Sequence, residues 1–186
     1  MRSEPRFVPT ILEAGLQALT IGKRGHIEPG FRIYHVGKVN YAEVLSGEYF
    51  FRMRGAEFVR GIEALLATSA QFRRRGIYQN GPFSVRFVQK SSHYLSMVHD
   101  HASDYASVEI AMFTSVPGAA ELIDAYERTA LENRGRPHWG QLNEHTGRKG
   151  WADREYTSLG AWRQVFKQLN HAGVFNNHFT DRMGFS

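Results

Sequence analysis

The chain contains no cysteine, which excludes disulfide frameworks and thiolate metal sites. It has no apolar run approaching the roughly 20 residues that cross a bilayer, and no signal-peptide pattern opens it. Those absences set the expectation of a soluble, cytoplasmic protein with no membrane partner. Internal repeats and low-complexity stretches are missing as well, which leaves an ordinary globular domain. Acidic residues are the scarcer sign, 18 Asp and Glu against 23 Lys and Arg, for a formal net charge of +5. The densest basic run, Arg73-Arg74-Arg75, ends a helical pattern, where cations oppose the negative end of the helix dipole. No recognition helix or RNP-type motif accompanies it, so no nucleic-acid partner is expected. An acidic partner subunit or an anionic ligand suits the charge at least as well.

What is present is a chain of 186 residues, 42% hydrophobic and 13% aromatic, a one-domain length with a short appendage. A folded chain of this size buries roughly 70% of the surface its unfolded form exposes, enough for a real core. Residues 1–30 read as an arm, a short helix and then a loop. Thr10 and Glu13 have capping-box spacing, Ile11, Leu12, Leu16 and Leu19 give one apolar face, and Gly22, Gly25, Pro29 and Gly30 break the pattern. The main domain is expected over residues 31–186.

Within that domain, Phe31 to Val39 alternates as a strand, with Phe31, Ile33 and His35 on one side. Glu48 to Met53 is a second, aromatic-rich strand. Residues 56–74 keep Phe58, Ile62, Leu65, Leu66 and Phe72 on one helical stripe. Asn80-Gly81-Pro82 turns into a strand from Phe83 to Gln89, and Ser107 to Thr114 is another. Pro117 opens a helix through Asn133 that carries Leu122, Ile123, Tyr126 and Ala130. Arg136 to Leu142 is extended or looped. A last helix over 157–169 buries Leu159, Trp162, Phe166 and Leu169. From residue 48 the order is strand, helix, strand, strand, helix, extended piece. That is the split βαβ (ferredoxin-like) arrangement of an α+β fold, an antiparallel sheet with helices on one face. The other face is left free to cover something.

Three ordered stretches resemble one known family. They are Pro82-Phe83-Ser84-Val85-Arg86-Phe87-Val88, then Gly135-Arg136-Pro137-His138-Trp139-Gly140, then Ala172-Gly173-Val174-Phe175-Asn176-Asn177. The first is similar to a Glu-Val-Arg-Phe type strand, and Ser107 to Phe113 follows it at the family's spacing. The second is similar to a GRPHWGK signature and the third to a closing D-P-x-G-x-F-L-N segment. Together they resemble the carboxy-terminal substrate (cap) domain of the D-arabinono-1,4-lactone, L-gulonolactone and alditol oxidases. In that family an amino-terminal domain holds FAD. Nothing in these 186 residues matches that domain, so the resemblance implies no cofactor held by this chain alone and a flavin supplied by another polypeptide.

Oxidising a secondary alcohol takes a hydride acceptor, a group for the hydroxyl proton, and donors that orient the polyol. The resemblance implies a carboxylate and an arginine two apart on the first strand, and a lysine ending the HWGK motif. Here the arginine is Arg86, but Ser84 stands at the carboxylate position and Gln141 at the lysine position. Neither can act as a strong base at neutral pH. The candidates that remain are His138 and Glu109 for catalysis, and Ser84, Arg86, Gln141, Asn143 and Trp139 for substrate. Period-two spacing puts Ser84 and Arg86 on one strand face. One reading makes Arg86 and Glu109 part of a polar cavity under the sheet; the other makes them a cross-strand ion pair on a solvated face. His138 is either held inside the fold or available for proton transfer, and Trp139 suits packing more than a ligand platform. His93, His99 and His101, near Asp100 and Asp104, have the residue types of a metal site, but their loop position and the nine histidines of the chain favour chance pairing.

Four functions follow as expectations. The first is a substrate-binding subunit for a small polyol or lactone-like molecule, completed by a flavoprotein. The second is a flavin-independent isomerase, lyase or cyclase built on the old cavity. The third is a non-catalytic small-molecule-binding protein, and the fourth a gene remnant. A surface that once faced a second domain implies a homo-oligomer or hetero-oligomer.

Overall fold

The computed structural model describes residues 4–21, 43–147 and 150–185. The strand expected over Phe31 to Val39 and the boundary after residue 30 lie outside them. Strands β1 (Val44–Arg52), β2 (Phe83–Val88), β3 (Tyr105–Phe113) and β4 (Arg136–Pro137) form one sheet in the order β2-β3-β1-β4. Every neighbouring pair is antiparallel. Helix α2 (Glu57–Arg74) joins β1 to β2, and α3 (Ala119–Glu132) joins β3 to β4. This is the expected split βαβ domain, an α+β fold. Among the described residues no helix is long and apolar enough to cross a membrane.

Alternation along the strands sorts the two sheet faces. Tyr49 and Phe51 from β1 share one face with Val108, Ile110 and Met112 from β3. Both helices cover that face, bringing Leu65 and Phe72 from α2 and Leu122, Ile123 and Tyr126 from α3 into one core. Leu66, expected in the stripe of α2, is instead 49% exposed, because it sits about 100° around the helix from Leu65.

The ends of elements depart from expectation for local reasons. Pro117 does not open α3. Gly118 does, as an N-cap at φ 80°, where an added Cβ would stand 2.8 Å from the Ile77 side chain. In the amino-terminal segment, α1 (Val8–Thr20) follows a 3-10 turn at Pro5–Phe7, with Phe7 in the N-cap position and no side-chain cap. Thr10 therefore lies inside the first turn and makes no capping box. The short strand β4 is an edge, compatible with Pro137. Its pairing extends past the strand, since His138 N–H donates to Glu48 O at 2.8 Å and Leu142 N–H to Ser46 O at 3.1 Å. Trp139 to Gln141 loops out between those two bonds.

A second, aromatic cluster packs beyond β4. Two five-residue helices, α4 (Trp151–Glu155) and α6 (His178–Arg182), flank α5 (Leu159–Leu169) and contribute Trp151 and Phe179. Leu159 is buried and Trp162 stacks on Phe166 at 4.8 Å, but Leu169 is 71% exposed. The helix has passed the cluster by its last turn, so the apolar pattern outruns the core.

Candidate functional site

The register places four polar side chains in one row across the uncovered sheet face. Ser84 on β2 pairs with Glu109 on β3, and Glu109 with Glu48 on β1. One step further, the Tyr49–Pro137 pairing sets His138 beside Glu48. Arg86, two residues along β2, reaches back into this row. Its Nη1 donates to Glu48 Oε1 at 2.8 Å and its Nη2 to Glu109 Oε2 at 2.5 Å. The hydrogen bond to Glu109, and then the charges of both carboxylates, raise the Arg86 guanidinium further above its ordinary range against the opposing effect of burial. Arg86 is thus a fixed cation at working pH. Its side chain is 53% exposed, so the ion pair with Glu109 lies on an open face.

Gln141 joins the same network from the loop after β4. Ser46 Oγ donates to Gln141 Oε1 at 2.9 Å, and Gln141 Nε2 reaches Glu109 Oε1 at 3.4 Å. A lysine in that position would bring a charge to the carboxylates; the glutamine brings one donor and one acceptor. Glu48, a residue the sequence reading missed as a site candidate, is only 6% exposed. The missed signal is the alternation of β1 itself, which sets Glu48 on the face opposite Tyr49 and Phe51.

The other candidates are engaged within the fold. His138 Nδ1 accepts the Gly140 N–H at 3.0 Å, so the neutral ring carries its proton on Nε2. That ring can donate a hydrogen bond from Nε2, while its Nδ1 is engaged as the acceptor that closes the turn. Trp139 donates Nε1–H to Leu95 O at 2.8 Å, and Trp151, Tyr156, Phe179 and Phe185 surround its ring. Asn143 is buried. Its amide donates to Trp139 O and Gln141 O and accepts from Arg182 Nη2, which pins the loop carrying His138 and Gln141. Asn143 and Trp139 therefore shape the loop, whereas Arg86, Glu109 and Gln141 present polar atoms on the open face.

The histidine loop covers the remainder of that face, with Val98 packed against Phe50 and Tyr105. His99 Nδ1 faces His93 O at 3.0 Å and its Nε2 faces Ser158 Oγ at 3.1 Å. Among the described residues, no three His, Cys, Asp or Glu side chains gather as a metal ion would require. Asp100 is the loop's anchor, accepting from Arg52 Nε at 2.7 Å, Ala102 N–H at 2.8 Å and Tyr105 Oη at 3.0 Å. Burial works to raise its pKa, but these three hydrogen bonds prevail and hold the carboxyl well below the usual carboxylate range. Its stabilisation is therefore full above about pH 5 and is lost as pH falls toward the folded value. Asp100→Asn is expected to lower the thermal midpoint at neutral pH, and its curve should converge with that of the parent protein in acid. Parallel curves from neutral to acid pH would contradict this.

A split βαβ sheet with helices on one face and a bonded polar row on the other defines an α+β domain built to present one sheet face. Residues 50–183 match the D-arabinono-1,4-lactone oxidase family, and the chain belongs to that family. No curated protein matches closely enough to count as a relative.

Proposed function

We propose that this domain binds a small polyol or sugar lactone on its open sheet face, as the substrate-binding part of an oxidase whose flavin is held by a separate flavoprotein. The observation that supports the reading most is the row Ser84, Glu109, Glu48 and His138 with Arg86 across it. Two carboxylates beside one guanidinium leave acceptors in excess, which suits a ligand rich in hydroxyl donors. Glu109 is the accessible carboxylate, with 25% of its side chain exposed, and takes the hydroxyl proton in this reading. The buried Glu48 holds Arg86 in place. Family membership supports the substrate class, and the flavoprotein docks over the polar row.

The test is calorimetric titration of the purified chain with an alditol and with an aldono-1,4-lactone, followed by Arg86→Gln. Saturable binding is expected, weakened about tenfold or more by the substitution, a loss of about 1.4 kcal/mol. Titration with FAD and FMN, alone and with a candidate flavoprotein, then checks the second half of the proposal. Absence of binding to any polyol or lactone would sink the reading.

The paired carboxylates also favour a second reading, proton-transfer chemistry on a lactone without flavin, as in an isomerase. Its signature is deuterium uptake from solvent at the lactone α-carbon by the chain alone, lost in Glu109→Gln.

A further inference from the structure

Beside the histidine loop, away from the polar row, lies a cleft of about 410 Å³. Its walls carry Arg52, Arg134, Arg136 and Arg154 together with His99 and His101, against only two carboxylates, Asp100 and Glu155. Asp100 is consumed by Arg52 and Tyr105. Glu155 stands 3.9 Å from Arg136 Nε, beyond hydrogen-bond range, and among the described residues that buried Nε has no hydrogen-bond partner. Among the described residues Arg134 has an ion pair with Glu57 alone, at 3.6 Å, and its side chain is 72% exposed. Arg154 is exposed on α4. The cleft thus holds more fixed positive charge than its own carboxylates neutralise.

The backbone at Arg134 gives a second, independent indication. Arg134 follows the last residues of α3 at φ 63°, the position where helices favour glycine. A side chain there costs on the order of 1 kcal/mol relative to glycine. Strain of this kind gathers where a side chain serves a ligand. The strain at Arg134 places a guanidinium at the mouth of the cleft, and the Gly135 that follows already supplies the flexible residue.

We propose that this cleft binds the phosphate or pyrophosphate group of a small molecule, with Arg134 and Arg154 closing on the anion and Arg136 forming the floor. Guanidinium forks match phosphate oxygens in pairs, and a volume of this size admits a ligand larger than one phosphate. The site is separate from the polar row and does not depend on the function proposed for it.

The test titrates the full chain with inorganic phosphate, pyrophosphate and a hexose phosphate, with the free hexose and chloride at matched ionic strength as controls. Saturable, one-to-one binding of a phosphate-bearing probe is expected, with none by the controls. A hexose phosphate that binds more tightly than pyrophosphate identifies a phosphorylated metabolite as the occupant; the reverse order identifies the free anion. Arg134→Gly relieves the strained backbone, so its thermal midpoint should hold or rise while affinity falls tenfold or more. Arg154→Gln should weaken binding similarly without unfolding the domain. Failure of every phosphate probe to saturate, or full affinity in the Arg134→Gly, Arg154→Gln double variant, would overturn the proposal.

Discussion

Replacing Arg136 with leucine should destabilise the domain by about 3–5 kcal/mol, a large part of the 5–15 kcal/mol that holds a typical domain folded. Arg136 is 3% exposed. Its Nη1 donates to His99 O at 2.7 Å and its Nη2 to Glu155 O at 2.6 Å. Its guanidinium lies 4.7 Å from the centre of the Tyr156 ring and 5.6 Å from that of Tyr105. The side chain therefore ties three separate segments together: the histidine loop, the sheet edge at β4 and the end of α4. Leucine fills much of the volume but takes the donor from the half-buried Glu155 O and leaves His99 O only the long contact from Tyr105 Oη at 3.5 Å, and each such loss costs roughly 1–3 kcal/mol. Lysine should recover less than half of the loss, since a single ammonium cannot reproduce the planar fork. Urea unfolding at neutral pH measures both variants, and a leucine variant within about 1 kcal/mol of the parent would refute this account.

The motif residue Arg136 could be read from the sequence only as part of a pattern, because its partners are backbone carbonyls from two distant segments. The same limit explains other differences between pattern and structure. Helices α2 and α3 and strands β2 and β3 are long enough for their periods to show. The five-residue helices α4 and α6 are too short to display a period, and β4 is two residues of edge strand. The polar row was half legible. Period-two spacing assigns Ser84 and Arg86 to one face, but Glu48 joins them only through the register of β1 on β3, which depends on how hydrophobic faces pair across the sheet. The metal-like residues of the histidine loop show the converse. His99 is spent on a backbone carbonyl and a serine hydroxyl, contacts no spacing reveals.

The second large effect lies beneath the polar row. Phe51 is fully buried, and two glycines make room for its ring. An ideal Cβ on Gly61 would stand 2.5 Å from the ring, and one on Gly135 would stand 2.8 Å from it. Gly135 opens the family motif, so this close packing also sets the path of the chain into His138 and Gln141. Phe51→Ala is expected to cost about 3–5 kcal/mol, through lost burial and the cavity left between α2 and the sheet. Gly61→Ala gives the sharper test because two effects oppose each other. Alanine in a helix interior is ordinarily favoured over glycine by about 1 kcal/mol, whereas forcing a methyl into a packed ring costs roughly 1–3 kcal/mol. In the parent protein the clash should win, and Gly61→Ala should destabilise. In the Phe51→Ala background the ring is gone, so the same substitution should become neutral or stabilising. That reversal of sign, measured by denaturant unfolding of the four proteins in the cycle, isolates the contact from helix propensity. If Gly61→Ala stabilised both backgrounds equally, the ring would be free to move aside, and Gly61 would not be what holds Phe51 in place.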